Sequence, residues 1–289
     1  MKISTTTSEI INKVGFEKAV ELCAKAGFDA WDFSLSTLYC YDYYDKKNYV
    51  INDKTGFTGD HIKLARELKK IGEDNGIYCN QTHATDPVYV SKAEDVLKKC
   101  IEATAEAGAK KCVVHPHSRI SAEENVEFFS KIVPLAREHD VVLTIENMWD
   151  WDSEKGRAFF CNCATAESYL EHINGVNDEY FKACLDIGHA EMMGDLVNAK
   201  DLVYALGDRI ETLHIHDNDK IHDSHQIPFS MNIDFPPIIK ALHDVGYKGD
   251  FTLETSYYLK DYTAENILDG LKNMAAAARK LADMFDSFN

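Results

Sequence analysis

The stretch "LHIHDNDKIHDSH", residues 213 to 225, places four histidines and three aspartates directly after an apolar, strand-like run. Imidazole nitrogens and carboxylate oxygens are the donors that proteins use most often to hold divalent ions such as zinc and manganese. A strand that ends in this way predicts a site at its carboxyl end. The other strand-like runs of the chain end in similar side chains.

Eight short runs with strand character alternate with longer helical patterns along the 289 residues. Several helical patterns, such as "FEKAVELCAKAG" (16 to 27), end in Gly just before the next strand, as in a βα repeat. Eight such units, without a Gly-rich phosphate loop after the first strand, favour a closed α/β barrel over an open sheet. We therefore predict one (β/α)8 TIM barrel domain over residues 1–289. The predicted strands are 2–6, 30–35, 77–84, 111–116, 141–147, 182–189, 211–217 and 250–256.

Six of these strands end in potential metal ligands, and the carboxyl ends of barrel strands converge on one rim. An acid such as Glu146 in "LTIEN" or Glu254 in "FTLET" is costly to bury unless it meets a cation or several donors. A single His at a strand end is as well explained by a structural hydrogen bond, and Asp186 by a helix N-cap. The same coincidence at six strand ends favours a metal site. The candidates are His83, His115, Glu146, Asp186, His189, His214, Asp223, His225 and Glu254, with His216 and Asp217 expected to orient them.

Composition narrows the class of partner. The formal net charge is −17 without a basic block, which disfavours nucleic acid because a duplex binder neutralises phosphates with Lys and Arg. The longest apolar runs are too short for a membrane span, and the start lacks the pattern of a signal peptide. A cytoplasmic protein is therefore expected. The cysteines, including "CNC" at 161–163, are expected to be structural.

The motifs together resemble the xylose isomerase-like barrel superfamily, which contains sugar isomerases and epimerases as well as endonuclease IV, and the resemblance covers essentially the whole chain. The motifs are "THA" (82–84), "HPHS" (115–118), "IEN" (145–147), "DIGHA" (186–190), "HIHDND" (214–219), "DSH" (223–225) and "LET" (253–255). The imidazole and carboxylate donors suit Mn, Mg, Co, Fe or Zn. Resemblance to the epimerase and isomerase branches implies one such ion, held by Glu146, Asp186, His214 and Glu254. It also implies that His189 lies beside the substrate.

The endonuclease IV branch implies a rival function, because it uses nine ligands of these types around three zinc ions. His115, Asp223 and His225 are then candidates for additional metal sites. Two departures weaken this alternative. The segment after "DSH" reads "QIPFSMNIDF" (226–235) where the family commonly has a Gly-Glu-Gly turn, and "HPHSRI" (115–120) lacks a second histidine of the nuclease pattern.

We therefore predict a sugar isomerase or epimerase that moves a proton α to a carbonyl through an enediolate, with Glu146 and Glu254 as the acid/base pair. His189, Lys220, Trp149 and His83 are the predicted substrate contacts. Aromatic loops after the second and fifth strands either stack on a sugar or pack over the barrel mouth: Tyr39, Tyr41, Tyr43, Tyr44, Trp149, Trp151, Phe159 and Phe160. A lyase acting on an oxidised (3-oxo) glycoside and a non-catalytic metal-binding barrel stay open as alternatives. The resemblance also makes a homo-oligomer plausible.

Overall fold

Eight parallel strands form the centre of the molecule in the computed structural model, which describes residues 1–42, 48–85 and 92–288. The barrel strands are β1 (Ile3–Thr5), β2 (Ala30–Ser34), β3 (Tyr78–His83), β4 (Lys111–Val114), β5 (Val142–Glu146), β6 (Phe181–Asp186), β7 (Ile210–His214) and β8 (Phe251–Leu253). All eight lie where the sequence predicts strands.

The ring of strands is closed. Strands β2 to β7 pair in sequence order, and β1 pairs with β8 through Ile3 opposite Phe251. Parallel bridges between Thr6 and Asp32 and between Ile215 and Leu253 join the two sets. The predicted TIM barrel is therefore confirmed.

Helices surround the barrel, and their apolar faces pack onto the strands. They are α1 (Ser8–Val14), α2 (Phe16–Ala26), α3 (His61–Asp74), α4 (Ala93–Glu106), α5 (Ala122–Glu138), α6 (Ala166–Val176), α7 (Ile187–Glu191), α8 (Ala199–Leu206), α9 (Phe235–Asp244) and α10 (Ile267–Asp286). Gly27 ends α2 with a left-handed φ of 98°, which a residue without Cβ adopts readily. No helix in the described part of the chain has the length and apolarity needed to cross a membrane.

The sixth strand is shorter than predicted. The sequence suggested a strand over 182–189, but β6 ends at Asp186 and helix α7 begins at Ile187. The Asp186 side chain caps this helix by accepting a hydrogen bond from the His189 N–H at 2.7 Å. The N-cap interaction therefore ends the strand and turns His189 onto a helix.

Polar side chains fill much of the barrel interior below the rim. The Thr212 hydroxyl donates to the Thr144 hydroxyl at 2.9 Å across the barrel. The Ser4 hydroxyl likewise donates to the Asn80 side chain at 2.7 Å. Because these groups are hydrogen-bonded to one another, their burial is not penalised as an isolated polar group would be.

Two short antiparallel hairpins extend from the carboxyl side of the barrel, after β2 (Tyr39–Tyr41 with Tyr49–Ile51) and after β5 (Trp149–Asp152 with Arg157–Phe160). Tyr39 is buried against Phe57, with ring centroids 5.5 Å apart. Tyr39 therefore packs against the segment that follows its hairpin. Tyr43 and Tyr44 lie outside the described residues.

Candidate metal centre

Four ligand side chains meet at the carboxyl ends of β5 to β8, and we call Glu146, Asp186, His214 and Glu254 the central group. Their donor atoms all lie within 4.8 Å of one another. His214 Nδ1 is 3.0 Å from Glu146 Oε1 and 3.6 Å from Glu254 Oε2. The arrangement follows from the fold, because each ligand ends its barrel strand or directly follows it.

The two carboxylate oxygens of Asp186 have different surroundings. One carboxylate oxygen caps α7, while the other, Oδ2, is buried and has no hydrogen-bond partner among the described residues. The Asn147 side chain fixes the backbone at this point by accepting from the Asp186 N–H at 2.7 Å and donating to its carbonyl oxygen at 2.8 Å. A buried carboxylate oxygen without a donor is a position that a cation would satisfy.

The charged side chains of the central group shift one another's pKa values. Burial by itself would raise the pKa of Glu146, but the neighbouring His214 and His115 outweigh burial and hold that pKa well below its usual value. Burial would lower the pKa of His214, yet Glu146 and Glu254 raise it well above the usual value for histidine. His214 and the two glutamates therefore favour each other's charged forms in the protein without an ion.

A second group consists of His83, His115 and Glu146, which share donor atoms within 4.8 Å. His115 Nε2 lies 3.2 Å from Glu146 Oε2, and the Nε2 atoms of His83 and His115 are 2.8 Å apart. His83 Nδ1 also lies 3.4 Å from Glu254 Oε1. His83, predicted as a substrate contact, is thus placed among the ligands and joins the second group to the central one.

A third group, called the loop group, consists of His189, His216, Asp223 and His225, again with donor atoms within 4.8 Å. Asp223 Oδ2 accepts from His225 Nε2 at 3.0 Å, and Asp223 Oδ1 is 3.6 Å from His189 Nε2 and 3.4 Å from His216 Nε2. Both ring nitrogens of the fully buried His216 lack a hydrogen-bond partner within the described chain.

His216 is thus a candidate ligand, although the sequence indicated only an orienting role for it. Gly188 makes room for its ring, because a Cβ at Gly188 would lie 2.0 Å from His216 Cε1. Asp217 has a different role from the one expected. Its carboxylate accepts from the N–H groups of Met231 at 2.8 Å and Ile233 at 3.0 Å, and so anchors the following segment.

The structure also brings Asp32 of β2 to the site, which the sequence analysis did not single out. Asp32 is fully buried, and its Oδ2 atom lies 3.3 Å from His214 Nε2. The available signal was an acid inside the apolar run "AWDFS" (30–34), the same feature that identified Glu146 and Glu254.

The remaining predicted residues lie at the edge of the site. The ring of Trp149 is 6.4 Å from that of His189 and packs against Met192 and Met193. Lys220 is exposed, and its ammonium lies 3.1 Å from Glu191 Oε2. Trp149 therefore lies next to the candidate ligand His189, whereas Lys220 forms an ion pair with Glu191, which is not one of the candidate ligands.

The donor set fits a divalent ion. The central group offers three carboxylates and one imidazole, and its charge is negative once His214 is neutral. The thiol of Cys184 also lies within 4.8 Å of donor atoms of Glu146 and His214, and burial raises its pKa to about 12. Hard and borderline cations such as Mn²⁺, Mg²⁺, Co²⁺, Fe²⁺ and Zn²⁺ are bound by such oxygen and nitrogen ligands.

Two kinds of sequence relative are similar to this chain. An uncharacterized protein, MJ1311, from Methanocaldococcus jannaschii is 26% identical over 188 residues, which are 62% of this chain and 59% of that protein. A probable endonuclease 4 from Staphylococcus carnosus is 32% identical over 139 residues, covering 43% of this chain and 44% of that protein. The chain thus spans less than two thirds of the length of either relative.

Solved structures match over the whole chain at lower identity. A D-tagatose 3-epimerase-like protein has a TM-score of 0.74 at 18% identity and covers 99% of both chains. The IolI protein with a bound zinc atom has a TM-score of 0.71 at 20% identity and covers 100% of this chain and 99% of that chain. These matches support the fold. The family described as "Xylose isomerase-like TIM barrel" matches residues 20–286, and the chain belongs to that family.

Proposed function

We propose that this protein is a divalent-metal-dependent sugar isomerase or epimerase whose centre is formed by Glu146, Asp186, His214 and Glu254. The observation that carries the proposal is the convergence of these four donors within 4.8 Å at the ends of four consecutive strands. The similarity to a D-tagatose 3-epimerase-like structure supports a sugar as the substrate. The zinc atom bound in the similar IolI structure supports a metal ion in this barrel.

A divalent ion held by the central group would polarise the substrate carbonyl and stabilise the negative charge that develops on its oxygen. Glu146 and Glu254 enter from β5 and β8, on either side of His214. One carboxylate removes the proton from the carbon next to the carbonyl, and the other returns a proton. The depressed pKa of Glu146 keeps it ionised near neutral pH, which is the form that can accept a proton.

The outer residues are proposed to hold the substrate. His189 keeps its Nδ1 atom 2.9 Å from the Asn147 carbonyl oxygen, which directs Nε2 towards Asp223 and the site. His83 and Trp149 border the same space, and the Trp149 ring suits the C–H face of a sugar. Lys220 is proposed to bind an outer hydroxyl or phosphate, for which its ammonium must leave Glu191.

The test measures proton transfer directly. Protein loaded with Mn²⁺, Co²⁺, Mg²⁺ or Zn²⁺ is incubated in D₂O with a panel of ketoses, ketose phosphates and 3-oxo glycosides, and deuterium at the carbon next to the carbonyl is measured by mass spectrometry and NMR. Glu146→Gln and Glu254→Gln are expected to abolish exchange while the fold is retained. Glu211→Gln is the matched control, because Glu211 lies on β7 but pairs with Lys111, away from the ligands. Near-normal exchange in both ligand variants would refute the assignment.

A second candidate is an endonuclease IV-type phosphodiesterase, favoured by the overlapping ligand groups around Glu146 and His214, by the adjoining loop group and by the endonuclease 4 relative. The net charge of −17 weighs against it, since phosphate binding needs basic surface. Metal content per chain and cleavage of an abasic-site duplex separate the two. About three zinc ions with cleavage would favour the nuclease, and one ion without cleavage the sugar enzyme. A 3-oxo-glycoside lyase would instead release the aglycone in the same panel.

A further inference from the structure

Asp32 lies behind the central group, on the side of His214 that faces away from the other ligands. Its Oδ2 atom is 3.3 Å from His214 Nε2, whereas His214 Nδ1 faces Glu146 and Glu254. Asp32 and His214 are both fully buried. The imidazole is therefore held between a carboxylate behind it and two carboxylates in front of it.

A chain of hydrogen bonds fixes the position of the Asp32 carboxylate. The Gln81 side-chain amide donates to Asp32 Oδ2 at 3.0 Å. The Thr252 hydroxyl donates to the oxygen of the same amide at 3.2 Å, which requires the amide nitrogen to face Asp32. Asp32 Oδ2 thus accepts one hydrogen bond from Gln81, and its other near neighbour is His214 Nε2.

The other oxygen of Asp32, Oδ1, has no hydrogen-bond partner in the described part of the chain. A fully buried carboxylate is costly unless donors reach it. Two side-chain nitrogens lie within hydrogen-bond distance of Asp32 Oδ2, the Gln81 amide at 3.0 Å and His214 Nε2 at 3.3 Å. His214 Nε2 is therefore the ring nitrogen that is placed to donate to Asp32.

We infer that Asp32 is a positioning residue that holds the proton of His214 on Nε2 and so presents the lone pair of Nδ1 to the metal. The inference rests on the proposed function only in requiring an ion at the central group, and it does not depend on which sugar is converted. A histidine ligand whose second nitrogen donates to a carboxylate is fixed in tautomer and ring orientation and is a stronger ligand. Asp32 is not a member of the ligand groups, so its effect on the ion would pass through His214.

Metal affinity tests the inference without turnover. Asp32→Asn keeps the shape of the side chain but removes the carboxylate, and Thr104→Val is the control, since it removes a buried hydroxyl that bonds Thr82 and the Cys100 carbonyl rather than Gln81 or Asp32. Dissociation constants for Co²⁺ and Zn²⁺ are measured by competition with a chromophoric chelator, together with the visible spectrum of bound Co²⁺. We expect Asp32→Asn to weaken binding roughly 10–100-fold and to alter the Co²⁺ spectrum, and Thr104→Val to change neither.

The tautomer provides a second readout. In protein labelled with ¹⁵N-histidine, His214, identified through a His214→Gln variant, is expected to keep a proton on Nε2 and to shift its Nδ1 resonance when Zn²⁺ binds. If Asp32→Asn does not fold, Gln81→Met removes the supporting donor and is expected to weaken Co²⁺ binding in the same direction. Affinity within twofold of the parent in the folded variant, or a parent that binds no Co²⁺, would overturn the inference. Tight Co²⁺ binding that depends on Asp32, with no deuterium exchange in any sugar, would refute the proposed function alone.

Discussion

Gly188 controls whether the loop group can form, because its missing Cβ provides the space for the His216 ring. A Cβ at this position would lie 2.0 Å from Cε1, 2.2 Å from Nε2 and 2.4 Å from Nδ1 of His216. Ordinary contacts of this kind begin near 3.4 Å, so the ring would have to retreat by about 1.4 Å. It has little room to do so, because His225 stacks on it with ring centroids 4.2 Å apart.

Gly188→Ala is therefore expected to destabilise the protein by roughly 1–3 kcal/mol, the usual cost of overpacking a filled interior. At roughly 2–4 °C per kcal/mol for a chain of this general size, the melting temperature is expected to fall by roughly 2–12 °C. The substitution also replaces a helical Gly by Ala, which alone would stabilise a helix by up to about 1 kcal/mol. A measured loss therefore understates the clash.

Thermal unfolding is followed by circular dichroism at one scan rate and with a chelator present, so that bound metal does not contribute. Gly270→Ala in α10 is the matched control, because its Cβ would meet only Leu259 and Tyr262 side-chain atoms at 3.0–3.1 Å. The decisive comparison is Gly188→Ala in a His216→Ala background, where the obstructing ring is absent. If Gly188→Ala costs as much there as in the parent, the clash with His216 is not the cause and the reasoning fails.

Four further predictions concern the ligand groups. Removal of metal by a chelator is expected to lower the melting temperature, and re-addition of Mn²⁺ or Zn²⁺ is expected to restore it. At a hundredfold excess of free metal over the dissociation constant, the free energy of unfolding should rise by about 2.7 kcal/mol. An unchanged melting curve would contradict a metal centre. Burial would lower the pKa of His225, but Asp223 and Glu254 raise it to about 9. In urea unfolding of the metal-free protein, the contribution of His225 to the free energy of unfolding should be complete below about pH 6.5 and be lost as the pH rises through about 9. If the difference between the parent and His225→Gln does not change with pH, the pairing of His225 with the two acids is contradicted. Trp149→Ala is expected to raise KM about tenfold with little change in Co²⁺ affinity, and equal losses in both would place the ring in the metal centre. Proton exchange is expected to be faster with Mn²⁺ or Co²⁺ than with Zn²⁺, as checked by the same assay in D₂O.

The fold was predictable because its signals are local. Each barrel strand is a short apolar run between helices, and Gly27 marks the end of a helix in the sequence as it does in the structure. The end of β6 was placed three residues too late, since nothing local distinguishes Asp186 as a strand residue from Asp186 as an N-cap. The hairpin Trp149–Asp152 with Arg157–Phe160 was read only as a loop, because strands of four residues are too short to show a periodicity.

The ligand types of the site were predictable and their grouping was not. Glu146 was recognisable as an acid in an apolar strand, but its contacts with both His115 and His214 depend on the closure of the barrel. His216 follows His214 by two residues and therefore points to the same side of the strand, yet its place beside Asp223 depends on the path of the loop between them. Asp32 carried the same signal as Glu146, but its partner is 182 residues away.

The number of protein ligands connects the choice of ion to the choice of function. Four side chains complete the coordination of a tetrahedral zinc ion, so a zinc in the central group has no position left for a substrate unless a ligand leaves or the coordination expands. An ion that prefers six ligands, such as Mn²⁺, Mg²⁺ or Co²⁺, would have two positions left when held by the same four side chains, enough for the carbonyl and hydroxyl oxygens of the proposed ketose substrate. The loop group would be complete for zinc only with His189 as its fourth ligand, and His189 could then not hold the substrate. The role proposed for His189 therefore favours a single ion in the central group, where the substrate is proposed to bind.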